Sequence, residues 1–149
     1  MISTEEIKAL REATGLSIME CRQALEVALG DKDKAVALLQ KRGAEIAAKK
    51  SSRNLGAGVV VSYIHTGETV GVMLTLLCET DFVARNPEFK SVARDISMHI
   101  AAMNPLNTVE LLDQPFIKDP GQKISDLLNN TVQKFGERTE VGHFVRFAI

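Results

Sequence analysis

The side chains best suited to bond-making chemistry are two cysteines, Cys21 and Cys78, with His65 and His99 as the nearest candidate bases. A thiol becomes a nucleophile when a neighbouring base or cation holds it as thiolate. Neither histidine has a local partner that would orient it, and both cysteines lie in apolar stretches. Packed thiols are the expected outcome. His65 sits beside a turn and is expected to face solvent. His99 flanks an apolar helical stripe and is expected at its boundary. No second ligand stands at metal-site spacing from either, and no Gly-rich phosphate loop occurs. The expectation is a binding protein with no metal site and no cofactor, not an enzyme.

A different stretch draws attention: Cys78-Glu79-Thr80-Asp81-Phe82-Val83-Ala84-Arg85-Asn86. Val70 to Cys78 reads as a strand. Asn86-Pro87 opens a helix, because the Asn side chain accepts from free backbone N–H groups and Pro suits the first helical position. Thr80 to Arg85 is thus a short connector between two well-specified elements, and connectors lie at the surface. A Phe and a Val beside an Asp on such a corner are either tucked into their own core or offered to a partner. Composition leaves both open.

The elements that must position this corner follow from periodicity. In 149 residues, 45% are hydrophobic and 25% charged, an ordinary globular profile for one domain or one plus a small module. The net charge of -1 gives no global attraction to nucleic acid or membrane, and no apolar run reaches a bilayer-spanning length of about 20 residues. The start is acidic, without a basic and apolar leader. Two cysteines in apolar contexts fit a reducing, cytoplasmic compartment. The single Tyr and the absence of Trp count against a nucleic-acid stacking platform.

Residues 1–43 read as three short helices. Ser3 with Glu6, and Ser17 with Glu20, have capping-box spacing. Gly15, Gly30 and Gly43 close the helices in turn. Cys21, Ala24, Leu25 and Ala28 form the inner face of the second, which Ile18 can join; Met19 points elsewhere. Residues 44–57 form a basic, Ala-rich connector with helical propensity, read as a solvated face or, less simply, a phosphate contact. Residues 58–149 give an antiparallel hairpin around Thr66-Gly67-Glu68, a helical stripe from Phe89 to Met103, and a short helical segment near Val109 to Leu112. A cap at Asp119-Pro120 leads into a stripe from Ile124 to Phe135, and a last strand runs from Val141 to Ile149. The fold class is α+β: a three-helix module, a linker helix, and a three-stranded antiparallel sheet covered by helices. The last strand is apolar on both faces, so both faces are expected to be covered.

Glu79 to Asn86 resembles the Thr-Asp-Phe-Val signature of bacterial elongation factor Ts. The order Leu10-Arg11, Thr14-Gly15, Met19, Cys21, Ala24-Leu25, Gly30-Asp31 and Ala35 resembles that family's N-terminal module, and also ubiquitin-associated domains. The likeness covers essentially the whole chain and weakens near the end, where the family's Gly-Glu-Asn-Ile element reads Gly136-Glu137-Arg138-Thr139. No function is carried onto that segment. The resemblance implies guanine nucleotide exchange on elongation factor Tu. Thr80, Asp81, Phe82 and Val83 would disturb its magnesium site, and Leu16, Ile18, Met19 and Arg22 would dock on its GTPase domain. Long members hold two sheet units; the single unit here would leave a sheet face bare, implying a homodimer. The alternatives are a ubiquitin-associated-type protein-binding module with an appended α+β domain, and RNA binding through the basic connector.

Overall fold

The computed structural model describes residues 1–149. Helices α1 (Thr4–Thr14) and α2 (Ile18–Val27) both open on the capping boxes that their sequences announce. Ser3 and Ser17 accept from the amides of Glu6 and Glu20, whose carboxylates accept in return from the cap residues' amides. Gly15, at φ 69°, ends α1 in the left-handed conformation that a residue with a Cβ adopts only at a cost. Leu10, Leu16, Cys21, Leu25, Ala35 and Leu39 fill a small core among these helices and α3.

Helix α3 (Lys32–Lys49) departs from expectation. It does not end at Gly43 but runs straight on through the first half of the basic connector. Gly43 is buried, and a Cβ there would stand 3.1 Å from the Gln133 side chain and 3.4 Å from the Asn129 carbonyl oxygen. The glycine serves close packing against another helix, not a helix stop. That other helix is α7 (Ile124–Phe135).

The second core surrounds a three-stranded antiparallel sheet ordered β1 (Ala57–Ile64), β2 (Val70–Cys78), β5 (Glu140–Ala148). Along β2, Val72, Leu74, Leu76 and Cys78 face inward and are buried against α5 (Pro87–Met103). Phe89, Ala93, Ile96 and Ile100 supply the facing stripe, at the spacing that puts them on one side of a helix. Asn86 caps α5 as predicted, accepting from the Glu88 amide with Pro87 following.

The outer face of the sheet has no such cover. The register aligns Ile64, Gly71 and Phe147 in one row and Ser62, Met73 and Val145 in the next, with Val60 opposite Thr75. Val60, Ile64, Met73, Val145 and Phe147 are all exposed.

Between α5 and α7 lie α6 (Thr108–Asp113) and a small hairpin of β3 (Pro115–Phe116) and β4 (Asp119–Lys123). Asp119-Pro120 therefore starts a strand, not a helix. The Asp119 side chain accepts from the Gly121 amide at 3.3 Å and the Gln122 side chain at 3.1 Å, holding the turn locally. His99 also differs from expectation. It is fully buried beneath this hairpin, with Nε2 2.9 Å from Gln114 Oε1 and Nδ1 3.2 Å from the Ile117 amide. The amide must donate, so Nδ1 accepts and Nε2 carries the proton. Burial lowers the ring's pKa, opposed by the Gln114 bond.

Candidate functional site

The short connector expected over Thr80 to Arg85 is built as a single helical turn, α4 (Asp81–Ala84), set between the end of β2 and the start of α5. Its residues divide cleanly. Ala84 is buried in the sheet core and Val83 packs half-buried against it. Thr80 and Asp81 are exposed, and the Phe82 side chain is 90% exposed. The turn is thus fastened on its Ala84 side and lifts Phe82 into solvent. An isolated exposed Phe costs little by itself; its place at the crest of a fastened turn is what singles it out.

Thr80 occupies the cap position of α4, yet its side chain makes no cap bond to that helix. Its hydroxyl instead donates to Glu137 Oε2 at 2.6 Å. The other oxygen, Oε1, accepts from the Thr80 amide at 3.0 Å and the Glu79 amide at 3.1 Å. Glu79 reciprocates: its Oε2 accepts from the Arg138 amide at 2.6 Å, while Arg53 approaches Oε1 at 3.4 Å. Arg138 in turn donates to the Arg53 carbonyl at 2.6 Å. Two carboxylates thereby clasp the end of β2 to the loop after α7. Sequence reasoning left this loop without a role. Its partners lie 57 to 59 residues away, and no local pattern encodes such a pairing.

Cys78 lies directly beneath. Its thiol donates to the Thr80 carbonyl at 3.3 Å, and burial, with the nearby Glu137 and Asp81 carboxylates, raises its pKa. Cys21 is likewise buried, and burial raises its thiol. The candidate bases have other partners: His65 Nδ1 lies 2.9 Å from the Tyr63 hydroxyl, and His99 is held as described. Both sulfurs are packed thiols, as their contexts predicted.

In the helical module, Ile18 and Met19 stand outward on the first turn of α2, 57% and 65% exposed. Arg22 follows one turn on, paired with Glu26 at 2.8 Å. Leu16 is different. It is 2% exposed and belongs to the module's own core, so it underpins the turn and presents no side chain to a partner. Helix α7 ties this module to the sheet unit. Asn130 donates to the Thr14 carbonyl at 2.7 Å, Gln133 to Glu20 at 3.1 Å, and Lys134 pairs with Glu88. The exposed first turn of α2 and the Phe82 corner therefore belong to one fastened body.

The class that this architecture defines is an α+β protein presenting two separate surfaces, an apolar ring on a fastened turn and an apolar first turn of a small helical module. A family model described as Elongation factor TS matches residues 7–110. Proteins named Elongation factor Ts are similar over nearly the full chain. That of Thermodesulfovibrio yellowstonii is 40% identical, with 99% of this chain and 96% of the relative covered. That of Carboxydothermus hydrogenoformans is 39% identical, with 100% and 89% covered. That of Thermosipho melanesiensis is 34% identical, with 100% and 99% covered. The chain belongs to the elongation factor Ts family, whose members are translation elongation factors. These alignments run to 192 or 194 positions against 149 residues here, so the relatives carry internal residues for which this chain has no counterpart. No helix is long and apolar enough to cross a membrane.

Proposed function

We propose that this protein is a guanine nucleotide exchange factor that binds elongation factor Tu in its GDP form and speeds GDP release. It performs no bond chemistry of its own and needs no cofactor. The observation that carries this reading is the exposure of Phe82 at the crest of α4, within Thr80-Asp81-Phe82-Val83, in a chain of the elongation factor Ts family.

The logic is linkage. A factor that binds the nucleotide-free GTPase more tightly than the GDP form weakens GDP binding by the same coupling energy. The Phe82 ring enters beside the magnesium and nucleotide site, Asp81 makes polar contacts at its base, and Val83 backs it from the core side. Burying a Phe contributes about 1.5–3 kcal/mol. This offsets part of the cost of parting the elements that hold the ion. About 1.4 kcal/mol is a tenfold change in affinity, so the ring needs a second foothold. Ile18, Met19 and Arg22 on α2 supply it by docking on the GTPase domain, and Leu16 supports them from beneath.

In this reading, residues 1–43 are the docking module, 44–57 its connector and 58–149 the core that carries the ring and dimerises. The exposed outer sheet face supports a homodimer: five apolar side chains on three adjacent strands form one uncovered patch. The protein works in the cytoplasm without direct contact to nucleic acid or membrane.

The footholds separate by mutation. Phe82→Ala slows GDP release at saturating factor by about tenfold, for a loss of about 1.4 kcal/mol, and changes affinity for elongation factor Tu less. Met19→Ala does the reverse. Stopped-flow release of a fluorescent GDP analogue, titrated with each variant, reads both quantities. Equal effects of the two substitutions on both would contradict the assignment.

A further inference from the structure

We infer that Glu137 is a positioning residue for nucleotide exchange: its carboxylate sets the aim of the Phe82 ring by holding the backbone and hydroxyl of Thr80. This rests on the reading of Phe82 as the exchange element and adds a residue from the Gly136–Thr139 loop.

The geometry is specific. One carboxylate receives three hydrogen bonds, at 2.6, 3.0 and 3.1 Å, from two consecutive residues at the entrance to α4. A charged acceptor makes each of these stronger than a neutral pair would be, and the shortest lies in the range of a hydroxyl bound to an ionised carboxylate. At a helix start, a Thr hydroxyl ordinarily accepts from an amide of its own first turn. Here it donates outward instead, and α4 has no side-chain cap. The orientation of this turn is therefore set by a residue 57 positions away.

Phe82 has no means of aiming itself, because at 90% exposure it touches almost nothing. Its direction is inherited from the α4 backbone. Ala84 and Val83 fix one end of that turn in the core, and Glu137 fixes the other. Glu137 is itself held in place by Gly136, which ends α7 at φ 71°, and by the reciprocal bond from the Arg138 amide to Glu79. Without the carboxylate, the Thr80 hydroxyl is free to cap α4 locally, and the ring loses its fixed approach. A ring that must enter a narrow site gains from being held in its bound direction beforehand. The loss falls on the step where the ring acts, not on docking through α2.

The test compares wild type, Glu137→Ala, Glu137→Gln, Thr80→Val and the Glu137→Ala, Thr80→Val double variant in release of fluorescent GDP from elongation factor Tu. Glu137→Ala lowers the maximal release rate about tenfold, equivalent to about 1.4 kcal/mol, with the half-saturating concentration within about twofold. Glu137→Gln keeps one carbonyl oxygen for the two amides and falls between. Thr80→Val adds little in the Glu137→Ala background, since both remove the same bond. Amide hydrogen exchange at Glu79 and Thr80 quickens in Glu137→Ala while the rest of the sheet keeps its protection, a pattern that general destabilisation would not give. A Glu137→Ala protein with wild-type maximal rate, or one whose rate and affinity fall together with its melting temperature, overturns the inference. If wild type itself fails to speed release, the reading of Phe82 fails and the exchange role of Glu137 with it; hydrogen exchange still reports whether the carboxylate holds the corner.

Discussion

At the residue scale, His99 shows what burial does to a single side chain. Both ring nitrogens are committed, Nδ1 as acceptor from the Ile117 amide and Nε2 as donor to Gln114. Adding a proton to Nδ1 would destroy the first bond and place a charge in a dry site. The folded protein therefore resists protonation, and the ring's pKa lies below its ordinary value. The unfolded chain takes up the proton first as pH falls. Stability from this site is complete above the unfolded value of about 6.5 and declines as pH drops below it toward the lower folded value. Chemical denaturation between about pH 7.5 and 5.5 should show wild type losing stability on acidification, and His99→Gln losing less. Parallel curves for the two proteins would contradict this. The sequence did not reveal this burial. The partners that close over His99 lie 15 and 18 residues further on, one at the end of α6 and the other in a hairpin that propensity does not announce. Phe82 is the opposite case. Its exposure was one of two open outcomes until the turn around it was seen to bury Ala84 and turn the ring outward.

At the element scale, local signals were legible and contacts between elements were not. The caps at Ser3, Ser17 and Asn86 could be read because each involves residues within three positions. Gly43 misled because its reason is tertiary. A glycine near a plausible helix end reads as a stop, but here it lets α3 lie close to α7. Asp119-Pro120 misled in a similar way, since a short strand pairing with Pro115–Phe116 took the place of a helix start. The packing at Gly43 yields a test. Leu is a better helix former than Gly by nearly 1 kcal/mol, so Gly43→Leu should strengthen α3 in isolation. It should nevertheless destabilise the protein by about 1–3 kcal/mol, the usual cost of forcing volume into a packed contact. The melting temperature would drop by about 2–4 °C for each kcal/mol. A variant that melts at or above the wild-type temperature would show that α3 and α7 do not depend on this approach.

At the scale of the whole molecule, two cores are joined through α7 into one body that presents three surfaces: the first turn of α2, the crest of α4 and the outer sheet face. The alternation of the strands made the third surface legible, because apolar residues on both faces of β5 imply two layers to bury them. Sedimentation at micromolar concentration should show a dimer, and Phe147→Asp, placing a charge in the patch beside Ile64 and Gly71, should yield a folded monomer. A monomeric wild type would contradict the dimer and leave the proposed roles of the α2 and α4 surfaces untouched.

In the proposed exchange role, this chain weakens the hold of elongation factor Tu on GDP and is regenerated in doing so. Labelled GDP bound to purified elongation factor Tu, chased with excess unlabelled nucleotide, tests it most directly when this protein is added at a small fraction of the elongation factor concentration. The whole label should be lost rapidly, each molecule of the factor serving many of its partner. Release no faster than the spontaneous rate, at any concentration of the factor, would contradict it.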